Sequence, residues 1–181
     1  MDTKALFAVL LVAGILGGFS INNYLIEEDT TDIETETPVN NNVEKVEVGS
    51  EAPDFTLADT EGNQFNLSDY EGEKVLVLEF MNMNCGTCKN FEKNTMKSYC
   101  NESMPEDVEV ISITQTNNAN NDDLAERTEE MGWEFMKGNE QMTDAFGADR
   151  SPTVVIIDKD GIVTFSESGS MSKSELEEKI N

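Results

Sequence analysis

The run Val75-Leu76-Val77-Leu78-Glu79-Phe80-Met81-Asn82-Met83-Asn84-Cys85-Gly86-Thr87-Cys88-Lys89 decides how this chain reads. Its first seven residues are nearly all apolar, as in a central strand covered on both faces. Its end carries two of the three cysteines. Neither proline nor glycine occurs from Cys88 to Tyr99, and a helix is expected there. A strand thus delivers Cys85 to a sheet edge at the start of a helix, where reaction sites of open α/β sheets collect. Exposed N–H groups at a helix N-terminus stabilise a thiolate. Cys88 lies one helical turn further on and can resolve a mixed disulfide. The expected roles are Cys85 as nucleophile and Cys88 as resolving thiol.

The pair has other readings. A structural disulfide needs only this spacing. Zinc needs about four ligands, and the chain has neither a second CxxC nor any histidine. Haem attachment needs histidine after the second cysteine, where Lys89 stands. No cofactor and no metal is expected. The absence of histidine also excludes imidazole-based triads and dyads. Cys100 lies about 18 Å beyond Cys88 along a continuous helix. It reads as a buried, inert thiol, with a regulatory or intermolecular disulfide as the alternative.

Glu79 interrupts the apolar strand before the cysteines. It reads either as a carboxylate facing solvent or as a buried acid near the pair. In the second case desolvation raises its pKa toward neutrality. It can then accept the proton of Cys88 as that thiol attacks.

Outward from this run, composition sets bounds. The chain has 181 residues, 37 Asp and Glu against 12 Lys and Arg, and a formal net charge of −25. No basic patch for nucleic acid can be assembled from so few scattered cations. The acidic excess suits a high-salt setting, where self-repulsion is screened; lineage bias or solubility are equal explanations.

From Ala5 to Ile26 no residue is charged. As a helix this stretch spans roughly 33 Å, enough for a bilayer core. Residues 1–26 read as a single-pass membrane anchor or uncleaved signal, with a cleaved signal and secretion as the alternative. The acidic residues Glu27, Glu28 and Asp29 follow, in keeping with an extracytoplasmic C-terminal domain. Residues 27–47 are acidic, polar and poor in large apolar side chains, as expected of a flexible tether.

Residues 48–181 read as one α/β domain, expected to be monomeric. A strand pair, Asp54 to Leu57 and Gln64 to Leu67, precedes the run at Val75. Strands follow at Val108 to Ile113, Trp133 to Phe135, Val154 to Ile157 and Ile162 to Phe165. Asp122 or Asp123 caps a helix through Met131, Glu140 to Phe146 is a short helix, and Ser172 with Glu175 opens the last one. A mixed central sheet flanked by helices results. Gln115 to Asn121 is a polar loop, and Trp133 reads as core.

Ala52-Pro53-Asp54-Phe55, Cys85-Gly86-Thr87-Cys88 and Ser151-Pro152-Thr153 together resemble the thioredoxin superfamily, in particular its membrane-anchored TlpA/ResA-type thiol–disulfide oxidoreductases. The resemblance covers about Val48 to Ile180 and implies a thioredoxin-like fold. It further implies a cis Pro152 beside the disulfide, with Ser151 offering backbone contact to a substrate. Glu79 matches the family's buried acidic position. Asn84, Gly86, Thr87 and Thr153 complete the implied substrate-contact rim. The implied partners are protein thiols and disulfides outside the cytoplasm, an upstream redox partner, and cytochrome c maturation proteins. Family members reduce or exchange disulfides; reduction is the direction expected here, against a helix-stabilised thiolate that shifts the pair toward oxidant.

Two departures stand out. Asn84 replaces the usual tryptophan before the first cysteine, and Phe91, followed by Glu92, replaces a common glutamate. Both alter the rim and leave the cysteine chemistry intact. A peroxiredoxin-like peroxidase is one alternative, but Met81 and Cys85 stand where its proline and threonine belong. A Cu(I)-binding module using both thiols and Met83 is the other.

Overall fold

The computed structural model describes residues 45–181. The expected anchor at 1–26, and the expected tether before Lys45, lie outside the described residues. Val46 already donates to the Ala145 carbonyl at 2.8 Å and packs against the core, ahead of Val48. Among the described residues no helix is long and apolar enough to cross a membrane.

A small antiparallel pair comes first, β1 (Thr56–Ala58) and β2 (Gln64–Asn66). The Asp59 side chain organises the turn between them by accepting from the Glu61 and Asn63 N–H groups. A 3-10 turn over Leu67–Tyr70 leads to β3 (Val75–Met81). Next comes a continuous helical run. It consists of α1 (Gly86–Phe91), a π-helical stretch (Glu92–Met96) and α2 (Lys97–Glu102). The helix thus continues beyond the expected Cys88 to Tyr99, through Cys100, and has Ser103 as its C-cap.

β4 (Val108–Thr114), α3 (Asn121–Met131), β5 (Glu134–Lys137), α4 (Glu140–Ala145), β6 (Thr153–Ile157), β7 (Val163–Ser168) and α5 (Lys173–Ile180) complete the chain. Asn120, rather than Asp122 or Asp123, caps α3: its side chain accepts from the Asp122 N–H. The two aspartates occupy the first turn instead, where negative charge favours the helix N-terminus. Gly132, at φ 92°, ends α3 in a conformation costly for any other residue. Ser172 and Glu175 form the expected capping box of α5.

The five-stranded sheet has the order β5-β4-β3-β6-β7. β3, β4 and β5 run parallel; β6 and β7 are antiparallel to their neighbours. β3 is central, which explains why six of its seven residues are buried. Alternation sends its side chains to two cores. Leu76, Leu78 and Phe80 pack with Phe65 of the strand pair and with Met142 and Phe146 around α4. Val77 and Met81 pack on the other face with Cys88, Phe91, Leu124 and Leu176. Glu79 lies between these two and shares their face.

Candidate active site

Cys85 is the N-cap residue of α1, with its backbone extended and its Sγ accepting from the Cys88 N–H at 3.0 Å. The loop before it is held by Asn82. Its carbonyl accepts from the Cys85 N–H at 2.9 Å, and its side chain accepts from the Asn84 N–H at 3.0 Å. Cys85 is half-buried while Cys88 is fully buried. The two form a disulfide with a Cα–Cα separation of 5.3 Å. Asn84, Gly86 and Thr87 are exposed around it.

Across from the cysteines runs the segment before β6. The Ser151–Pro152 peptide bond is cis, and the Ser151 carbonyl oxygen lies 3.7 Å from Cys85 Sγ. Pro152 is buried. The structure therefore brings Cys85, Ser151 and the exposed rim residues together. The Thr153 side chain turns inward: its hydroxyl donates to the Arg150 carbonyl at 2.8 Å and lies 2.8 Å from the Ser168 hydroxyl.

Glu79 is fully buried, so the solvent-facing reading does not hold. The parallel register sets it beside Ser112 of β4. The Ser112 hydroxyl donates to Glu79 Oε2 at 2.6 Å and accepts from Trp133 Nε1 at 2.9 Å. Burial pushes the Glu79 carboxyl up to about 7, opposed by the Ser112 hydrogen bond and by the charge of Arg127. It is thus poised to titrate near neutral pH. Trp133 is core, as expected, but its indole N–H also fixes the hydroxyl that holds Glu79.

Sequence reasoning missed the second half of this buried polar cluster. Glu92 and Arg127 are both buried and pair with each other. The Arg127 guanidinium also lies 5.2 Å from the centre of the Phe135 ring. The signal was periodicity. Glu92 shares the stripe of Cys88, Phe91, Thr95, Met96 and Tyr99; Arg127 sits between Leu124 and Met131 on the buried stripe of α3. A charge on an apolar stripe needs a buried partner. Cys100 is half-buried near the end of α2, and burial pushes its thiol up to about 11. It stays largely protonated at neutral pH, which suits a thiol outside the chemistry.

A Redoxin family profile matches residues 47–180. Over 143 residues the chain is 33% identical to the thiol-disulfide oxidoreductase ResA of Geobacillus thermodenitrificans, spanning 75% of this chain and 77% of that one. This chain belongs to the ResA-type redoxins. It is therefore a thiol–disulfide oxidoreductase of the thioredoxin superfamily. The ResA of Geobacillus kaustophilus is 30% identical over 179 residues, 94% of this redoxin and 89% of the relative. Among solved structures, a putative thiol:disulfide interchange protein DsbE from Chlorobium tepidum superposes with a TM-score of 0.61 at 24% identity. It covers 75% of this redoxin and 96% of that chain. StoA from Bacillus subtilis superposes with a TM-score of 0.58 at 15% identity, over 71% and 97% of the two chains. These likenesses establish the thioredoxin-like fold, with its mixed sheet, flanking helices and leading strand pair.

Proposed function

We propose that this redoxin reduces disulfides in extracytoplasmic proteins through Cys85 and Cys88. The observation that carries the reading is the unequal placement of the two sulfurs: Cys85 half-exposed at a helix N-cap, Cys88 fully buried one turn on. In the reduced protein the Cys85 thiolate attacks a substrate disulfide, forming one mixed disulfide and releasing one substrate thiolate, which takes up a proton. Cys88 then loses its proton and attacks the Cys85 sulfur. The mixed disulfide breaks, the second substrate thiol leaves, and the Cys85–Cys88 disulfide forms. The substrate gains two electrons and the pair loses two.

Glu79, at about 7, has the right proton affinity to take the Cys88 proton at neutral pH. Its position on the same sheet face as Cys88 supports that role. The Ser151 backbone and the cis Pro152 flank the attacking sulfur and are the surface offered to a substrate chain, with Asn84, Gly86 and Thr87 as the rim. Substrate selection belongs to this rim, and cytochrome c maturation proteins are the partner class that the family suggests. An upstream dithiol partner must return the pair to the reduced state.

Equilibration in glutathione buffers tests the direction. A reductant has a potential well below about −230 mV, and a value near about −120 mV overturns that direction in favour of an oxidant. Residues 1–26 are proposed to anchor the domain outside the cytoplasm. Protease added to intact cells is expected to cleave the domain; cleavage only after lysis contradicts this placement.

A further inference from the structure

Gln115 follows the last residue of β4 and belongs to no regular element. Its N–H donates to the Met81 carbonyl at 3.0 Å, where the cysteine loop leaves β3. Its carbonyl accepts from the Thr143 hydroxyl of α4 at 3.0 Å. Its side-chain Nε2 donates to the Ala148 carbonyl at 2.5 Å and to the Arg150 carbonyl at 2.8 Å. Its Oε1 accepts from the Ser151 hydroxyl. Carbonyls only accept, so the two of them fix which end of the amide is nitrogen. All the amide's contacts therefore fall on one segment, 148–151. That segment ends at the Ser151 carbonyl, 3.7 Å from Cys85 Sγ. A single residue, through its backbone N–H and its side-chain amide, joins the ends of β3 and β4 to the backbone that faces the attacking sulfur.

The geometry points to Gln115 as a positioning residue for peptide substrates, its amide holding residues 148–151 so that the Ser151 backbone meets an incoming chain in register with Cys85. The inference rests on the disulfide exchange proposed above. A peptide that pairs with this backbone needs the segment already in place; otherwise the cost of ordering it is subtracted from binding. A small symmetrical disulfide needs only access to Cys85. A residue that merely stabilised the fold would affect both substrates alike.

The test compares Gln115→Leu and Gln115→Glu with the unchanged protein. Leu keeps the bulk and removes every side-chain hydrogen bond; Glu keeps the shape and sets an acceptor against two carbonyls. Reduced protein is reacted with a disulfide-linked peptide and with 2-hydroxyethyl disulfide, which has no peptide backbone. For the peptide, kcat/KM is expected to fall about tenfold, mainly through KM, while the rate with 2-hydroxyethyl disulfide falls less than about threefold. Equal losses on both substrates, or no loss on the peptide, overturn the inference. Near-ultraviolet circular dichroism of the buried Trp133 checks that each variant is folded. If both variants fail that check, Ser151→Ala removes only the hydroxyl bond to the amide. A peptide-selective loss of about threefold is then expected, and no loss overturns the inference. Unchanged protein that reduces neither substrate defeats the proposed function itself, and this inference with it.

Discussion

The two faces of the central sheet share the same strands and differ in chemistry. On one face Leu76, Leu78 and Phe80 meet Phe65 and Phe146, and among the described residues no charged side chain is buried there. On the other, Val77 and Met81 flank Glu79, and the helices above supply Cys88, Glu92 and Arg127. All three buried charged residues among the described residues belong to this second face. The first face needs only to exclude water. The second also uses that exclusion, because desolvation is the largest cause lifting Glu79 to about 7. One dry face holds the fold, and the other, equally dry, sets a proton affinity.

The largest way to break this contrast is Arg127→Met. It leaves Glu92 buried without its partner, at a cost of roughly 3–5 kcal/mol. Urea denaturation measures the loss, and adding Glu92→Gln is expected to recover much of it. Removing the cation also raises the Glu79 carboxyl further, since Arg127 is one of the groups holding it down. Leu78→Ala on the apolar face costs roughly 2–5 kcal/mol through the cavity it leaves. It should not move the pH dependence of exchange. A shift in that pH profile with Leu78→Ala would show that the faces are not separable.

Glu79→Gln sharpens the contrast from the other side. The folded carboxyl titrates at about 7 against an ordinary 4.5. Between those values the folded protein holds a proton that the unfolded chain has lost, so stability falls as pH rises through this window. Gln removes that penalty. The variant is expected to gain roughly 3 kcal/mol over the unchanged protein above pH 7, and nothing below about pH 4. In stopped-flow traces near pH 7 it should slow the attack by Cys88 at least about tenfold while sparing the first attack by Cys85. An unchanged resolution rate across the pH range removes Glu79 from the mechanism.

What was legible in the sequence follows the same division. Runs such as Val75 to Met81 and Val154 to Ile157 announce buried strands, because apolar side chains have only one use. The cysteine spacing and Pro152 announce the reactive end through the family resemblance. Glu79 was visible as the one charge in an apolar strand. Glu92 and Arg127 were not, because charges in helices are read by default as solvent-facing. Their places on the apolar stripes were the missed sign. The pairing itself needs the three-dimensional approach of α3 to the helical run. Ser112 and Gln115 were invisible for another reason: a lone polar residue at a strand position or strand end has no pattern until the register fixes its neighbours.

The assignment of Cys85 as attacking sulfur and Cys88 as resolving sulfur is tested most directly by trapping. Reduced single-cysteine-site variants are mixed with a disulfide-linked peptide, quenched in acid and weighed by mass spectrometry. Cys88→Ser is predicted to accumulate a covalent adduct at Cys85, because its resolving thiol is missing. Cys85→Ser is predicted to form none, because the buried Cys88 cannot reach the peptide. An adduct on Cys85→Ser with none on Cys88→Ser would contradict the assignment.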